Sequence, residues 1–304
     1  MNYLEFFGLK EDPFKITPDP KYFFPSKSHR DADRLLKFVI SSGEGFCVLL
    51  GEPGTGKTTV IRRFLEENGE NLIYALILTP NLSPDEFLNV VLEELGIEKE
   101  FKSKNEALKA FKSFLEEKLK EGNKVLIIVD EAQNLPIETL EELRTLSNLE
   151  TNSEKLVQII LVGQPELDEK LKLPSLRQLL QRITNKMSLK PLDFEDTKKY
   201  INHRLTLAKG NNITFTDKSI KKIFKISKGN PRLINIISSR ALMSAFMENS
   251  FKIKPHNIDV AVSTIDPEIL NLKNYKYIFF KVIIGILIII NIILLSYIIY
   301  KTFF

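Results

Sequence analysis

The chain is poor in the residues on which several protein classes depend. Of its 304 residues, one is cysteine (Cys47) and three are histidine. An internal disulfide framework is therefore excluded, and no Cys/His cluster has the spacing of a zinc site. The first residues, MNYLEFFGLKEDPF, lack the basic start, the apolar run and the small-residue cleavage site of a signal peptide. We therefore expect a globular body that begins in a reducing, cytoplasmic compartment.

The chain also has little net charge, but its charges are unevenly distributed. The net charge of +4 comes from four lysines in residues 271–304, a segment without acids, so the preceding 270 residues sum to zero. Within them, residues 186–254 carry 15 Lys/Arg against 5 Asp/Glu. This excess predicts a basic surface, which is either a solvated lysine-rich face or a surface that meets phospholipid or nucleic acid.

A long apolar run lies near the C-terminus. Residues 277–300 read YIFFKVIIGILIIINIILLSYIIY, and about 20 such residues cross a bilayer as a helix. The alternative is a buried core helix, but core helices are rarely apolar on every face. More lysines lie before or at the start of the run than after it, so the positive-inside rule predicts a cytoplasmic body and leaves only residues 301–304 on the far side.

A P-loop follows the first apolar strand. Residues 46–50 lead into the pattern Gly51-x-x-x-x-Gly56-Lys57-Thr58, and a run of helix formers follows. The glycines let backbone N–H groups and the helix N-terminus surround phosphates. Lys57 would reach the β- and γ-phosphates, and Thr58 would ligate Mg²⁺. The residues predicted to bind ATP here are Gly51, Glu52, Pro53, Gly54, Thr55, Gly56, Lys57, Thr58 and Thr59.

A second apolar strand ends in two acids. Residues 124–133 read KVLIIVDEAQ, a continuous apolar run typical of a parallel strand buried on both faces. Downstream of a P-loop, Asp130 would hold the magnesium ion and Glu131 would polarise the attacking water. A strand that merely meets a solvated turn is the alternative. Because Glu131 can orient water, the pair predicts hydrolysis rather than nucleotide binding alone.

A third apolar strand ends at Gln164, within LVQIILVGQPEL (residues 156–167). Parallel strands end together at the ligand crevice, so this side chain could sense the γ-phosphate. Turn chemistry at Gln164-Pro165 is a competing explanation. Thr79, which ends LIYALILT, is a similar candidate that could hold Glu131 until the site is loaded.

With these motifs, the sequence resembles the general secretion pathway protein A family of AAA ATPases, the ExeA-like proteins, from residue 1 to about residue 265. The segments that carry the resemblance are YLEFFGLKEDPFKITPDPKYFF, SKSHRDADRLL, the P-loop, VDEAQNLPIETLEELRTLSNLET, LVGQPEL, LRQLLQRIT, YINHRL and GNPRLIN. The resemblance implies an ATPase that uses Mg²⁺, anchored in the bacterial inner membrane and assembled into homo-oligomers.

The resemblance also implies roles for single residues. Gln164 corresponds to the sensor on the fourth strand, and Arg232 corresponds to the lid arginine that contacts the nucleotide of its own subunit. Arg182 resembles the arginine finger offered to a neighbour's γ-phosphate, with Arg177 as the alternative. His29 lies where related ATPases line the adenine pocket, although a helix start capped at Ser28 accounts for that segment almost as well.

The order of the patterns predicts an α/β fold, with a P-loop AAA ATPase core built on a parallel sheet, a small all-helical lid and one transmembrane helix. Strands are expected near residues 46–50, 73–78, 125–130, 157–162 and 185–189. The expected units are a core with an N-terminal lead (1–190), the lid (191–265), a tether (266–276), the membrane helix (277–300) and a far-side stub (301–304).

Longer members of the family continue beyond the membrane helix into a periplasmic region that binds peptidoglycan, and this sequence does not. Binding to the cell wall is therefore not implied. The resemblance implies an ATPase that works with an inner-membrane partner in an export system, either secretion of the type II or pilus-like kind or polysaccharide export. One alternative is a DNA-binding regulator related to transposition ATPases. The other is a nucleotide-gated scaffold with little turnover.

Overall fold

The computed structural model describes residues 2–17, 19–69, 72–78, 81–97, 101–151, 154–210 and 212–270. Thr79, most of the predicted tether, and the predicted membrane helix and stub lie outside these residues. Among the residues that are described, no helix is both long and apolar enough to cross a bilayer.

The first two thirds of the chain alternate between helices and strands. The helices are α1 (Tyr3–Phe7), α2 (Lys27–Ser42), α3 (Lys57–Asn68), α4 (Pro84–Glu94), α5 (Lys104–Lys120), α6 (Ile137–Leu146), α7 (Pro165–Leu171) and α8 (Arg177–Leu180). The strands are β1 (Phe46–Gly51), β2 (Leu72–Ile77), β3 (Lys124–Val129), β4 (Val157–Gly163) and β5 (Asn185–Leu189).

These five strands form one parallel sheet in the order β2-β3-β4-β1-β5. The central strands β1 and β4 are buried along their whole length, because helices cover both faces, whereas the edge strands β2 and β5 include half-buried and exposed positions. The predicted α/β fold with a parallel sheet is confirmed. The strands predicted at 73–78 and 125–130 are each shifted by one residue, to Leu72–Ile77 and Lys124–Val129.

The sheet separates two hydrophobic clusters. One contains α4, α5, α6 and α7, and the other contains α2 and α3. Strand β1 lies between β4 and β5, while the chain that leaves it crosses to the far edge at β2. The carboxyl ends of β1, β3 and β4 therefore border the crevice in which open α/β sheets bind ligands.

The last third of the described chain forms the lid. Its helices are α9 (Phe194–Leu207), α10 (Asp217–Ser227), α11 (Pro231–Met247) and α12 (Pro255–Ser263). The expectation of helices only was wrong, because β6 (Thr214–Phe215) and β7 (Lys252–Ile253) pair in parallel. Each is two residues long, too short for an alternating pattern to be visible in the sequence.

The N-terminal segment packs against the lid. Phe7 and Phe14 belong to the hydrophobic cluster of the lid, and the Lys10 N–H donates to Ala208 O at 3.0 Å. The sequence places this segment with the core in residues 1–190, whereas its aromatic side chains are buried among lid helices. The physical reason is that α1 has five residues and can bury Phe7 only against a larger apolar surface.

Candidate functional site: a P-loop between sheet and lid

The P-loop connects the end of β1 to the start of α3. Gly54 and Gly56 have φ values of +81° and +97°, a left-handed conformation that favours glycine. Gly56 is the residue before α3, so the first backbone N–H groups of the helix face the crevice, as in anion sites at helix N-termini. The Thr55 side chain closes the loop by donating to Glu52 O at 2.8 Å.

Lys57 begins α3 and its ammonium group lies inside the loop. Its Nζ donates to Gly51 O at 2.8 Å, and the residue is 5% exposed. Burial lowers the pKa of Lys57, while the carboxylates of Glu131 and Asp130 act in the opposite direction. A cation held here, with three hydrogen-bond donors, is available to phosphate oxygens in the same crevice.

Thr58 and Asp130 form the pair predicted to bind metal. Thr58 Oγ1 donates to Asp130 Oδ2 at 2.5 Å. The described residues contain no group of three or more His, Cys, Asp or Glu side chains that would form a cage of their own for a metal ion. Mg²⁺ beside a nucleotide typically takes one or two protein oxygens and completes its shell with phosphates and waters, so a hydroxyl next to a carboxylate fits it.

Glu131 follows Asp130 at the end of β3, where its backbone is left-handed with φ of +50°. This conformation costs a non-glycine residue about 1 kcal/mol and is typical of functional sites. Two side-chain amides donate to Glu131 Oε2, from Gln164 at 2.9 Å and from Gln133 at 2.5 Å. Burial would raise the pKa of Glu131, but these two hydrogen bonds and the charge of Lys57 outweigh it, so the net pKa is lowered.

Gln164 therefore lies beside Glu131, as the convergence of strand ends predicts. It is the residue before α7, and its own N–H donates to Gln133 Oε1 at 3.1 Å. No role was predicted for Gln133. It occupies a short 3₁₀ turn, Ala132–Asn134, that follows the left-handed Glu131 and brings its side chain back towards the strand ends.

The lid contacts the P-loop directly. Asn230 Nδ2 donates to Pro53 O at 2.8 Å, and a Cβ added at Gly54 would lie 2.5 Å from Arg232 Cβ. Arg232 is in the first turn of α11 and lines the same cavity as the P-loop. The lid arginine expected from the family resemblance thus lies at the phosphate-binding loop.

His29 lies beneath the P-loop and its imidazole is 5% exposed. One ring nitrogen, Nε2, is 3.0 Å from Thr55 O, and the other, Nδ1, is 2.6 Å from Ser26 Oγ. Burial lowers the pKa of His29, which favours the neutral ring. Helix α2 is capped by Ser26, so the expected cap at Ser28 was wrong. His29 contacts the backbone of the P-loop and also lines the cavity.

A cavity of about 410 Å³ extends from the P-loop to the N-terminal segment. Its far wall includes the buried Arg204 of the lid, whose guanidinium donates to Tyr200 Oη at 2.7 Å, stacks over the Tyr22 ring at 4.7 Å and also contacts Pro13 O. This network was not predicted from the sequence. A single arginine in an amphipathic helix does not indicate a buried network, because its partners Pro13 and Tyr22 lie in the distant N-terminal segment.

Arg182 lies away from its own P-loop. It precedes β5, whereas the P-loop follows β1, and because these neighbouring strands are parallel the two positions lie at opposite ends of the strands. Its Nη1 is 3.4 Å from Ser147 Oγ, and the side chain is half-buried. Arg177, the alternative, begins α8 and is exposed. The structure of one chain brings neither arginine into the crevice.

Comparisons with known proteins agree with this geometry. A family model described as an AAA domain matches residues 40–171. General secretion pathway protein A of Aeromonas hydrophila is 41% identical over 263 residues, which cover 85% of this chain and 48% of that protein. ATP-dependent target DNA activator B of Escherichia phage Mu is 32% identical over 130 residues, 42% of this chain and 39% of that protein. The chain thus spans less than half the length of either relative.

Two solved structures share the fold at low sequence identity. The structure of Drosophila ORC bound to DNA aligns with a TM-score of 0.64 and 18% identity, covering 90% of this chain and 69% of that one. ORC2 of Aeropyrum pernix, in ADPNP-ADP complexes, aligns with a TM-score of 0.62 and 17% identity, covering 86% and 74%. The matching family model defines residues 40–171 as an AAA domain, and the two structures show a shared fold.

More particularly, the chain is related to general secretion pathway protein A. The resemblance predicted from the sequence motifs is confirmed.

Proposed function

We propose that this chain hydrolyses ATP, with Mg²⁺, at the crevice between the P-loop, the ends of β3 and β4, and the lid. One observation carries the proposal: Lys57, Thr58 and Glu131 line a single cavity. Asp130 is hydrogen-bonded to Thr58, and Gln164 to Glu131. Lys57 and the N–H groups of α3 bind the phosphates, and Arg232 approaches them from the lid. Thr58 and Asp130 would hold the ion, which neutralises charge on the β- and γ-phosphates when bound.

Glu131 provides the base for hydrolysis. A water oxygen attacks the γ-phosphorus while the bond from that phosphorus to the oxygen bridging to the β-phosphate breaks, and ADP leaves with the electron pair. The proton of the water passes to the Glu131 carboxylate. The lowered pKa of Glu131 keeps it ionised and able to accept that proton at neutral pH. Gln164, whose amide donates to Glu131 Oε2, would sense the γ-phosphate.

The adenine ring of the nucleotide would lie in the apolar part of the cavity. Ile16, Phe23 and Phe24 of the N-terminal segment line it, together with His29 and Leu192. Ligand pockets combine such apolar walls with a few polar groups that fix orientation. The proposed nucleotide therefore contacts the core, the lid and the N-terminal segment at once.

Arg182 completes the site from a neighbouring copy in a homo-oligomer. The planar, permanently charged guanidinium of Arg182 suits phosphate oxygens. Because Arg182 lies at the end of the strands opposite to the P-loop, it is available to another subunit. We expect Arg182→Ala to lower kcat by about 10³-fold, as for other trans arginines, with ATP binding retained. Phosphate release measured against protein concentration should rise more steeply than linearly for the unaltered chain.

Mixing two inactive variants tests the shared site. Arg182→Ala and Glu131→Gln should each be nearly inactive alone and should regain activity together, since some interfaces then combine an intact Glu131 with an intact Arg182. No recovery on mixing, with co-assembly verified by light scattering, would contradict a trans role. The same measurement with Arg177→Ala decides between the two arginines.

The cellular role we propose is to drive or regulate assembly of an envelope export system at the bacterial inner membrane. Its support is the relationship to general secretion pathway protein A and the apolar run at residues 277–300, which is long enough to span a bilayer. Type II or pilus-like secretion and polysaccharide export both fit an ATPase body on the cytoplasmic side with an inner-membrane partner.

Membrane anchoring has a direct test. We expect the full chain to sediment with membranes and to resist extraction at alkaline pH, because transferring the apolar run to water is unfavourable. A chain that stops after residue 270 should appear in the soluble fraction. If both chains fractionate alike, residues 277–300 do not anchor the protein.

A DNA-directed function is the second candidate. It is favoured by the similarity to the phage Mu DNA activator and by Lys218, Lys221 and Lys225, which are exposed on α10. Binding of the full chain to duplex DNA, with affinity falling steeply as salt rises, would support it. A third role, a nucleotide-gated scaffold with little turnover, would be favoured by ATP binding without concentration-dependent hydrolysis.

A further inference from the structure

We propose that Gln133 is a positioning residue that holds the carboxylate of Glu131 in place while Gln164 turns to the γ-phosphate. The inference rests on the proposed ATP hydrolysis and concerns how Glu131, the general base of that reaction, is positioned. It starts from an arrangement in which two side-chain amides, those of Gln133 and Gln164, donate to the same oxygen, Glu131 Oε2.

The two amides do not have equal freedom. The role proposed for Gln164 requires its amide to leave Glu131 and contact phosphate. Gln133 is fixed at both ends of its amide, since Nε2 donates to Glu131 and Oε1 accepts the Gln164 N–H. Rotating this amide by 180° would place its oxygen against a carboxylate oxygen and its NH₂ group against an N–H donor, so one orientation satisfies both contacts.

The surroundings of Gln133 are shaped to keep that orientation. Gly163, the last residue of β4, leaves space for the amide, because a Cβ added there would lie 3.0 Å from Gln133 Oε1 and 2.7 Å from Leu167 Cδ2. From the other side, Lys170 Nζ donates to Gln133 O at 3.1 Å and also contacts Leu135 O. Gln133 is therefore tied to β4 and to α7.

The second carboxylate oxygen, Glu131 Oε1, accepts no side-chain hydrogen bond from the described residues, and Glu131 lines the cavity. Anchoring Oε2 thus leaves Oε1 for water. When Gln164 turns away, Gln133 keeps one donor on Oε2, so the carboxylate does not rotate. Gln133 itself touches neither water nor phosphate in this scheme.

The test uses the full chain in lipid nanodiscs, with Gln133→Ala, Gln133→Glu and the matched control Asn134→Ala. Asn134 occupies the same turn and is exposed. For Gln133→Ala we expect kcat to fall about 10- to 100-fold, the loss typical of a displaced catalytic group, while the Kd for a fluorescent ATP analogue changes less than about twofold. Asn134→Ala should behave like the unaltered chain.

The split between kcat and Kd separates positioning from a merely structural role. Gln133→Glu keeps an acceptor for the Gln164 N–H but places a like charge against Glu131 in place of the donor, so its kcat should fall at least as far as that of Gln133→Ala while its Kd again changes little. If kcat is unchanged in both variants, or if kcat and Kd change together, Gln133 does not position the carboxylate of Glu131.

The unaltered chain and Glu131→Gln are measured in parallel. Absence of ATP hydrolysis by the unaltered chain, or an unchanged rate in Glu131→Gln, overturns the proposed function and this inference with it. Normal hydrolysis that depends on Glu131 but not on Gln133 overturns this inference alone.

Discussion

Glu131→Gln is expected to lower the rate of ATP hydrolysis by about 100-fold or more, the typical contribution of a general base, while ATP binding persists. Glutamine has nearly the same shape as glutamate but cannot accept the proton of the attacking water. Binding should persist because Lys57, the P-loop N–H groups and the Thr58–Asp130 pair are unchanged. Steady-state phosphate release and nucleotide titration, performed on the same preparation, measure the two effects.

The control is the same chemical change at an exposed position. Glu117 lies on the solvent face of α5, so Glu117→Gln should hydrolyse ATP at the unaltered rate. A Glu131→Gln variant that retains full activity would show that this carboxylate is not the base. One that loses ATP binding would show that it acts through the structure of the P-loop.

Lys57→Ala is expected to weaken ATP binding by about 100-fold, because charge-assisted hydrogen bonds contribute roughly 1.5–3 kcal/mol. The ammonium group is buried and surrounded by backbone carbonyls, and the carboxylates of Asp130 and Glu131 lie nearby. Without it, those two negative charges face the phosphates with less positive charge to balance them. The Kd for a fluorescent ATP analogue measures the effect, and hydrolysis at moderate ATP should fall with it.

Lys120→Ala is the matched control, since Lys120 ends α5 and is exposed. It should bind ATP as the unaltered chain does. Circular dichroism spectra of both variants should coincide, because Lys57 packs against the P-loop and not within a hydrophobic cluster. An unchanged Kd in Lys57→Ala would contradict the assignment of this cavity to ATP.

The residues predicted best are those whose position follows from strand ends. Asp130 and Glu131 directly follow a continuous apolar run, and Lys57 follows the loop at the end of another. Parallel strands bring such strand-end positions together. Gln164 was predicted for the same reason. The sequence could not show that both Gln164 and Gln133 reach the same carboxylate oxygen, because that contact depends on the left-handed turn at Glu131.

Contacts between distant segments were not predicted. The packing of Phe7 and Phe14 on the lid, and the burial of Arg204 against the N-terminal segment, join residues nearly 200 positions apart, and periodicity within one helix carries no information about such partners. The lid strands β6 and β7 were not predicted for a different reason. Each has only two residues, which are too few to show an alternation of apolar and polar positions.

The N-terminal segment has a mechanical consequence. Phe7 and Leu270 belong to the same hydrophobic cluster, so both ends of the described chain pack on the lid. The sheet lies between them in sequence and is connected to the lid on both sides. A force applied at either end of the described chain, at residue 2 or at residue 270, is therefore transmitted first to the lid and only then to the sheet.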